Sequence, residues 1–326
     1  MKILIIRFSS IGDIVLTTPI VRCIKQQIKG CELHFLTKKS FEHLLSSNPH
    51  IAKVHLLENR ESLTIKKLKQ EKFDYIIDLH HNLRTLKFKN GLGVTSYSFP
   101  KLNFKKWLLT HFKIDKMPKL HVVDRYFETV KPLGVKNDFI GLDFFTDENV
   151  SILGKVPKCS FITVAVGAKF KTKQLPIEKL IAICKGMKTP ILLLGGKEDI
   201  VRGEALKNAL HGQQIENWCG KLSIQESAEM VKHSKLLLTH DTGLMHIASA
   251  FQTKIVSVWG NTVPSLGMYP YRPENENSFS IHEVNNLSCR PCSKIGYDKC
   301  PKKHFKCMEN QDVQAIQNAI TRFLKA

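Results

Sequence analysis

No apolar run in the chain is long enough to cross a membrane, and Met1-Lys2 leads directly into strand-forming residues, which leaves no room for a signal peptide. A cytoplasmic location is therefore expected. The G-x-G-x-x-G spacing is also missing: Gly12 stands alone after the first apolar run, and that excludes a dinucleotide fingerprint. Acidic residues are scarce, 29 against 49 Lys and Arg, so the net charge is +20. Such a surface prefers anionic partners, whether nucleic acid, acidic lipid headgroups or phosphorylated substrates. The basic patterns interleaved with aromatics that mark nucleic-acid modules are absent, so no nucleic-acid partner is expected.

The 326 residues, 43% of them apolar, suffice for two domains with separate cores. Runs rich in Ile, Leu and Val are each followed by a helical pattern, which predicts an α/β architecture with parallel sheets buried on both faces. Residues 2–7 read as a first strand, 9–13 as a turn and 14–27 as a helix. Strands follow at 31–36, 53–57 and 75–79, whereas the 90s and early 100s read as irregular and basic. After a linker over 154–158 containing Pro157, the second half brings strands at 159–166, 190–194, 235–239 and 254–259. Helices are predicted over 177–187, 201–209, 224–233 and 311–324. The expected domains are 1–155 and 156–326. Two such sheets in series predict a cleft between domains, with ligands at the carboxyl ends of strands.

The stretch Lys235-Leu-Leu-Leu-Thr-His-Asp-Thr-Gly-Leu-Met-His-Ile-Ala-Ser-Ala250 is the most informative. An apolar run stops at Asp241-Thr242-Gly243 and an amphipathic helix pattern begins at once. Such a turn aims unpaired backbone N–H groups, the positive end of a helix dipole and a Thr hydroxyl at one spot, which suits phosphate or pyrophosphate. Thr242 and His246 share a helix face one turn apart and would both address that anion. The same residues also suit a plain helix cap with an ordinary half-buried histidine.

These elements resemble the family 9 glycosyltransferases, the ADP-heptose:lipopolysaccharide heptosyltransferases and their relatives. The resemblance spans essentially the whole chain. It rests on the opening Ile6-Arg-Phe-Ser-Ser-Ile-Gly-Asp-Ile-Val-Leu-Thr-Thr-Pro19, on Asp78-Leu-His-His-Asn-Leu-Arg84, on His121-Val-Val-Asp-Arg125, on Lys173-Gln-Leu-Pro176 and on His240-Asp-Thr-Gly-Leu-Met-His246. It implies a GT-B fold, in which two Rossmann-like domains face each other across a cleft. It further implies a nucleotide-diphospho-sugar donor on the C-terminal domain, an acceptor on the N-terminal domain, inversion at the anomeric carbon and no catalytic metal.

Asp13 lies beside Gly12 in the first helical turn, where a carboxylate would be open to a cleft. An inverting displacement needs one carboxylate to take the acceptor hydroxyl proton while the diphosphate leaves from the opposite side. The resemblance assigns this role to Asp13, whose alternative is a first-turn carboxylate favoured by the helix dipole. Without a metal, the leaving diphosphate needs cations and N–H donors. Lys169, Lys171 and Lys173 alternate, and an extended loop would put them on one side. Lys173 matches the phosphate-binding Lys of the family, although Leu175 stands where the family often has Trp, while Lys169 and Lys171 read as solvated charges. Glu198, or Asp199 beside it, sits where a strand end would meet the ribose hydroxyls. Donor-binding candidates are thus Lys173, Glu198, Asp241, Thr242, Gly243 and His246.

Arg84 and Arg125 are candidates for clamping an anionic acceptor, since guanidinium binds phosphate or carboxylate in a two-pronged way; structural ion pairs are the alternative. His80-His81 stands where relatives often carry Gln-Gly, which alters the acceptor floor. Cys23, Cys31, Cys159, Cys184 and Cys219 are scattered and read as small apolar residues in a reducing compartment. Cys289, Cys292, Cys300 and Cys307 instead form a C-x2-C-x7-C-x6-C cluster whose spacing would hold a structural zinc ion; redox or plain structural roles are the alternatives.

The expected activity is inverting transfer of heptose from ADP-heptose to an anionic lipopolysaccharide inner-core acceptor. Another nucleotide sugar or acceptor, or a sugar-nucleotide-binding relative that has lost catalysis, are the alternatives. No cofactor is expected in catalysis. Lys101, Lys105 and Lys106 surround Leu102, Phe104, Trp107, Leu108 and Leu109, a mixture of cations and apolar anchors that predicts peripheral contact between the N-terminal domain and the anionic inner face of the inner membrane.

Overall fold

The computed structural model describes residues 1–152 and 154–325. The chain divides into two compact units, Met1–Lys101 with Leu120–Asp147, and Leu102–Lys119 with Glu148–Ala326. Residues 102–119, placed by sequence in the N-terminal domain, thus belong with the second unit.

In the first unit, β1 (Lys2–Ile6), α1 (Ile11–Val15), α2 (Thr18–Gln27), β2 (Glu32–Lys38), β3 (Lys53–Leu57), α3 (Glu61–Gln70), β4 (Tyr75–Asp78), α4 (Leu83–Leu92) and β5 (Thr95–Ser98) build a parallel sheet of order β3-β2-β1-β4-β5. The strand over 2–7 is borne out, one residue shorter. The single helix over 14–27 is replaced by two: the chain leaves the helix at Leu16–Thr17 and restarts with Pro19 in the first turn of α2, where its missing N–H costs nothing. The region read as irregular folds into α4 and β5. Its signal is weak because α4 buries only Thr85 and Phe88 among ten residues and β5 is the polar tetrad Thr-Ser-Tyr-Ser. Leu4, Ile6, Phe8, Leu36, Ile76 and Phe88 form the core on one face of the sheet, each fully buried chain contributing roughly 1.5–3 kcal/mol. After α5 (Asn103–Phe112), which belongs to the second unit, α6 (Val122–Phe127) completes the first.

The second unit contains β6 (Ile162–Ala165), α7 (Ile177–Cys184), β7 (Ile191–Leu194), α8 (Ile200–Ala209), β8 (Ile215–Asn217), α9 (Ile224–His233), β9 (Leu236–His240), α10 (Gly243–Ala250), β10 (Lys254–Trp259), β11 (Phe279–Glu283), α11 (Lys306–Glu309) and α12 (Val313–Lys325). Its parallel sheet has the order β11-β10-β9-β6-β7-β8. Ile162 and Val164 face one core with Ile316, Ile320 and Phe323 of α12, while Phe161 and Ala165 face the other with Met245 and Ala248 of α10. Burial on both faces explains why these strands read as unbroken apolar runs. The edge strands β8 and β11 carry Glu216, Asn217, His282 and Glu283 and gave no such run.

In each sheet the strand order reverses once beside the first strand. The reversal lies between β1 and β4 in the first unit and between β6 and β9 in the second. Loops at the carboxyl ends of those pairs diverge to opposite faces and leave a crevice within the unit, the usual ligand position in open parallel sheets.

Candidate active site

At the switch point of the second unit, the loop after β6 meets the turn after β9. Residues Leu236–His240 are buried throughout, and Thr242 takes the extended N-cap conformation (φ −137°, ψ 171°) ahead of α10. The first N–H groups of α10 therefore lack helical partners, as an anion cradle requires. Lys173 Nζ lies 2.5 Å from Asp241 Oδ2, which also accepts from Thr262 Oγ1 at 2.9 Å. Thr242 Oγ1 is 3.1 Å from Thr239 Oγ1. Of the predicted donor residues, Lys173, Asp241, Thr242 and Gly243 thus meet at one turn, and His246 is buried one turn into α10.

The loop carrying Lys173 is fixed by a residue that sequence reasoning quoted without giving it a role. His240 Nε2 accepts from the Leu175 N–H at 3.0 Å, and its Nδ1 lies 3.3 Å from Gly167 O, which fixes a neutral ring with the proton on Nδ1. Burial, with the Arg202 charge, lowers its pKa to about 4. The expectation that Lys169, Lys171 and Lys173 share one side of an extended loop is not met. Residues Lys171–Lys173 form a 3-10 turn, which points Lys169 and Lys171 to solvent and draws Lys173 inward. Lys169 lies 5.6 Å from the centre of the Phe170 ring.

Glu198 and Asp199 separate cleanly. Asp199 accepts from the Gly196 N–H at 3.0 Å and packs so closely on Gly167 that a Cβ there would stand 1.9 Å from its Oδ1. Asp199 is committed to the loop, and Glu198 is exposed.

At the switch point of the first unit, Asp13 sits in α1 immediately after the β1 loop. Its Oδ2 accepts from Ser10 N at 3.0 Å and Ser10 Oγ at 2.7 Å, and its Oδ1 lies 2.5 Å from Arg7 Nη2. The carboxylate therefore closes a capping box and remains partly open to solvent, 21% of its side chain exposed. Burial works against its charge, but the Arg7 guanidinium and the two Ser10 donors outweigh it and hold the pKa below the ordinary aspartate range. Arg7 is pinned in turn, with Nε donating to Ser9 O at 2.7 Å and Nη1 donating to Leu79 O. Sequence reasoning missed Arg7, although it lies in the opening motif.

From the carboxyl end of β4, His80 packs on Phe8 with ring centres 5.0 Å apart, and burial, with the Arg7 and Lys101 charges, lowers its pKa to about 4. Asp78 accepts from the N–H groups of His80 and His81 and from Thr85 Oγ1, and so shapes this loop. Arg84 is half exposed, 2.9 Å from Glu61 Oε1 and 6.0 Å from the Phe8 ring centre. Arg125 is buried on α6, with 2% exposure.

The cysteine-rich segment braces the donor turn. Arg290 Nε donates to Gly260 O at 2.5 Å and its Nη2 to Thr262 O at 2.9 Å, while the Cys292 N–H donates to Asn261 O. The Thr172 hydroxyl, next to Lys173, donates to Tyr297 O and accepts from the Tyr297 N–H, each at 2.8 Å. Cys289 Sγ lies 3.8 Å from His304 Nε2, and Cys292 Sγ donates to Cys289 O. Burial, with Cys289 nearby, raises Cys292 to about 11. Cys307, also buried, is raised to about 12. The four sulfurs share one neighbourhood, but among the described residues no three of them converge to ligand spacing. Cys23, Cys31, Cys184 and Cys219 are buried as expected; Cys159 is exposed.

A family profile described as glycosyltransferase family 9 (heptosyltransferase) matches residues 62–297, a span that contains the donor turn. Lipopolysaccharide heptosyltransferase 1 of Campylobacter coli is 24% identical over 290 residues, 80% of this chain and 84% of that protein. The fold is similar to that of the Escherichia coli ADP-heptose lipopolysaccharide heptosyltransferase II (TM-score 0.74, 17% identity, 99% of this chain and 98% of the other). It is also similar to the family 9 glycosyl transferase of Veillonella parvula (TM-score 0.76, 17% identity, 100% and 98%). The two Rossmann-like parallel sheets are therefore those of the GT-B fold, and the chain belongs to glycosyltransferase family 9.

Proposed function

We propose that this glycosyltransferase transfers heptose from ADP-heptose to a lipopolysaccharide inner-core acceptor, with inversion and without a catalytic metal. The observation that carries the donor half is the junction of β9 and α10, where helix N–H groups, the Thr242 hydroxyl and Lys173 converge. Asp241 would repel a diphosphate if its charge were free. Gripped by Lys173 and Thr262, it instead holds the ammonium at the turn and leaves the remaining Lys173 protons for phosphate oxygens. Gly243 keeps the first N–H groups of α10 unobstructed, His246 extends the same helix face, and exposed Glu198 accepts from the ribose hydroxyls. These donors stabilise charge on the departing diphosphate, the task a metal performs elsewhere.

Asp13 is the base. As the acceptor oxygen attacks the anomeric carbon, its proton passes to the Asp13 carboxylate and the bond from the anomeric carbon to the diphosphate oxygen breaks. Arg7 and Ser10 keep Asp13 ionised and aimed. Its low basicity suits late proton transfer, when the attacking hydroxyl has become acidic by bonding to carbon. Arg84, exposed beside Phe8, meets acceptor anions. The test is a panel of nucleotide sugars and nucleotides scored by thermal shift and turnover, with EDTA present throughout. ADP-heptose should raise the melting temperature most and be turned over, because ligand that binds only the folded state stabilises it. A greater shift from a uridine- or guanosine-linked sugar, or turnover abolished by EDTA, refutes this reading.

For the cysteine-rich segment we propose a structural metal bound by Cys289, Cys292, Cys300 and Cys307, supported by the contact of Cys292 Sγ with Cys289 O, which brings two of the four residues together. Cobalt(II) loading of the purified protein should give one equivalent of thiolate-bound metal, read from its sulfur-to-cobalt charge-transfer band and lost on replacing Cys289 and Cys292 by Ser. A charge-transfer band retained in that variant refutes it.

Membrane contact is proposed through α5. Phe104 is 70% and Phe112 58% exposed, and the Trp107 ring lies 6.0 Å from Phe104 and 5.0 Å from Phe112 by centroid. Leu109, expected as an anchor, is buried instead, because α5 turns it inward. Among the described residues no helix is long and apolar enough to cross a membrane, so the contact would lie in the interface. Vesicles containing anionic lipid should sediment the protein at low salt, and replacing Lys101, Lys105 and Lys106 by Glu should abolish this. Unchanged sedimentation refutes it.

A further inference from the structure

Away from the Asp13 loop, the first unit gathers a second polar cluster on β2, β3 and the end of α3. His34 Nδ1 and His55 Nε2 are 2.9 Å apart. The Glu71 carboxylate brings one oxygen to 4.0 Å from His34 Nδ1 and the other to 3.9 Å from His55 Nε2. Among the described residues this is the one trio of His, Cys or acidic side chains whose ligand atoms all lie within 4.8 Å of one another. Two imidazole nitrogens and a carboxylate oxygen gathered this closely are a ligand set that zinc accepts.

The surroundings prepare the histidine for that role. Glu32 Oε1 lies 2.7 Å from His34 Nε2, so this nitrogen carries the proton and Nδ1 keeps its lone pair on the side of His55 and Glu71. A carboxylate that fixes the tautomer of a ligating histidine is the usual support of a metal site. The His34 ring is 1% exposed and stands edge-on to Phe73 at 5.2 Å, so it cannot turn away. The cations facing the trio are Lys53, 2.5 Å from Glu71, and Lys2, 3.4 Å from Glu71 and 3.1 Å from Glu32. Lys53 is 56% exposed along its side chain and has water to retreat into.

We propose that His34, His55 and Glu71 bind a divalent transition metal of the zinc class, with Glu32 as the orienting carboxylate. On binding, the proton that His55 Nε2 shares with His34 Nδ1 moves to His55 Nδ1. Both rings stay neutral, Lys53 releases Glu71, and water fills the remaining position. The site is chemically distinct from the cysteine-rich segment, which offers sulfur.

Cobalt(II) titration of the full chain separates the two, because thiolate ligands give a sulfur-to-cobalt charge-transfer band and a nitrogen–oxygen site gives ligand-field absorption alone. The full chain should show a sulfur-free component of one equivalent. His55→Ala and Glu71→Gln should lose it with the charge-transfer band unchanged, and cooperative melting of both variants shows that the fold survives. Lys53→Met removes the competitor for Glu71 and should tighten this component by about threefold or more. No sulfur-free component in the parent, its retention in His55→Ala, or weaker binding in Lys53→Met each overturns the proposal.

Discussion

The two units place the same three groups at their switch points: a carboxylate at a helix start, a cation 2.5 Å from it and a hydroxyl within hydrogen-bond reach. In the first unit these are Asp13, Arg7 and Ser10; in the second they are Asp241, Lys173 and Thr262. The cations differ. Arg7 is a planar fork held by Ser9 O and Leu79 O, which fixes its remaining nitrogen, Nη2, on Asp13. Lys173 is a point charge on a flexible stem, with protons left over for a ligand. One constellation preserves an anion for catalysis and the other presents a cation for binding, and the choice between Arg and Lys decides which.

The sharpest way to break this comparison is Asp13→Asn. Turnover should fall by about 10²-fold or more while ADP affinity stays within a few fold, the usual scale for losing a general base. Near-normal turnover by product assay would remove Asp13 from the role. Next, Lys173→Ala should weaken ADP by roughly 2 kcal/mol, about 30-fold, as for a charge-assisted contact. Calorimetry showing equal affinity in mutant and parent would refute the assignment.

A smaller effect concerns pH. Because Arg7 helps to hold the Asp13 pKa below the ordinary range, activity should persist above that value and disappear only as pH falls through it. Arg7→Met removes the cation, so the acid limb of kcat/KM should move to higher pH. An unmoved limb means that Asp13 is not the titrating group. Smallest is Thr262→Val, which deletes one hydrogen bond to Asp241 and should cost ADP binding about 1 kcal/mol, near fivefold. An effect as large as that of Lys173→Ala would mean that Thr262 meets the ligand directly.

Much of this architecture is legible in the residue order, because buried parallel strands write themselves as apolar runs and the break at Asp241-Thr242-Gly243 marks a strand handing over to a helix. The partners of the key carboxylates are less accessible. Thr262 reaches Asp241 across 21 positions and Lys173 across 68, distances along the chain over which local pattern carries no information. Arg7 is only six residues from Asp13, yet it reads as the last residue of a strand until Leu79 O and Ser9 O show where its fork is anchored. Regions lacking strong periodicity, such as α4 and β5, go unread because tertiary packing rather than intrinsic preference holds them.

The bracing of the donor turn by the cysteine-rich segment also sets an order of assembly. Thr172 waits for Tyr297, and Gly260 and Thr262 wait for Arg290, so a nascent chain that has already made Lys173 and Asp241 still lacks the supports that align them. Closing such distant pairs is slow relative to local helix formation, and during synthesis it must await the later residues. The nucleotide site is therefore among the last parts of its unit to mature, and a ribosome-released fragment ending before residue 290 would be expected to collapse around its sheet without gaining affinity for ADP.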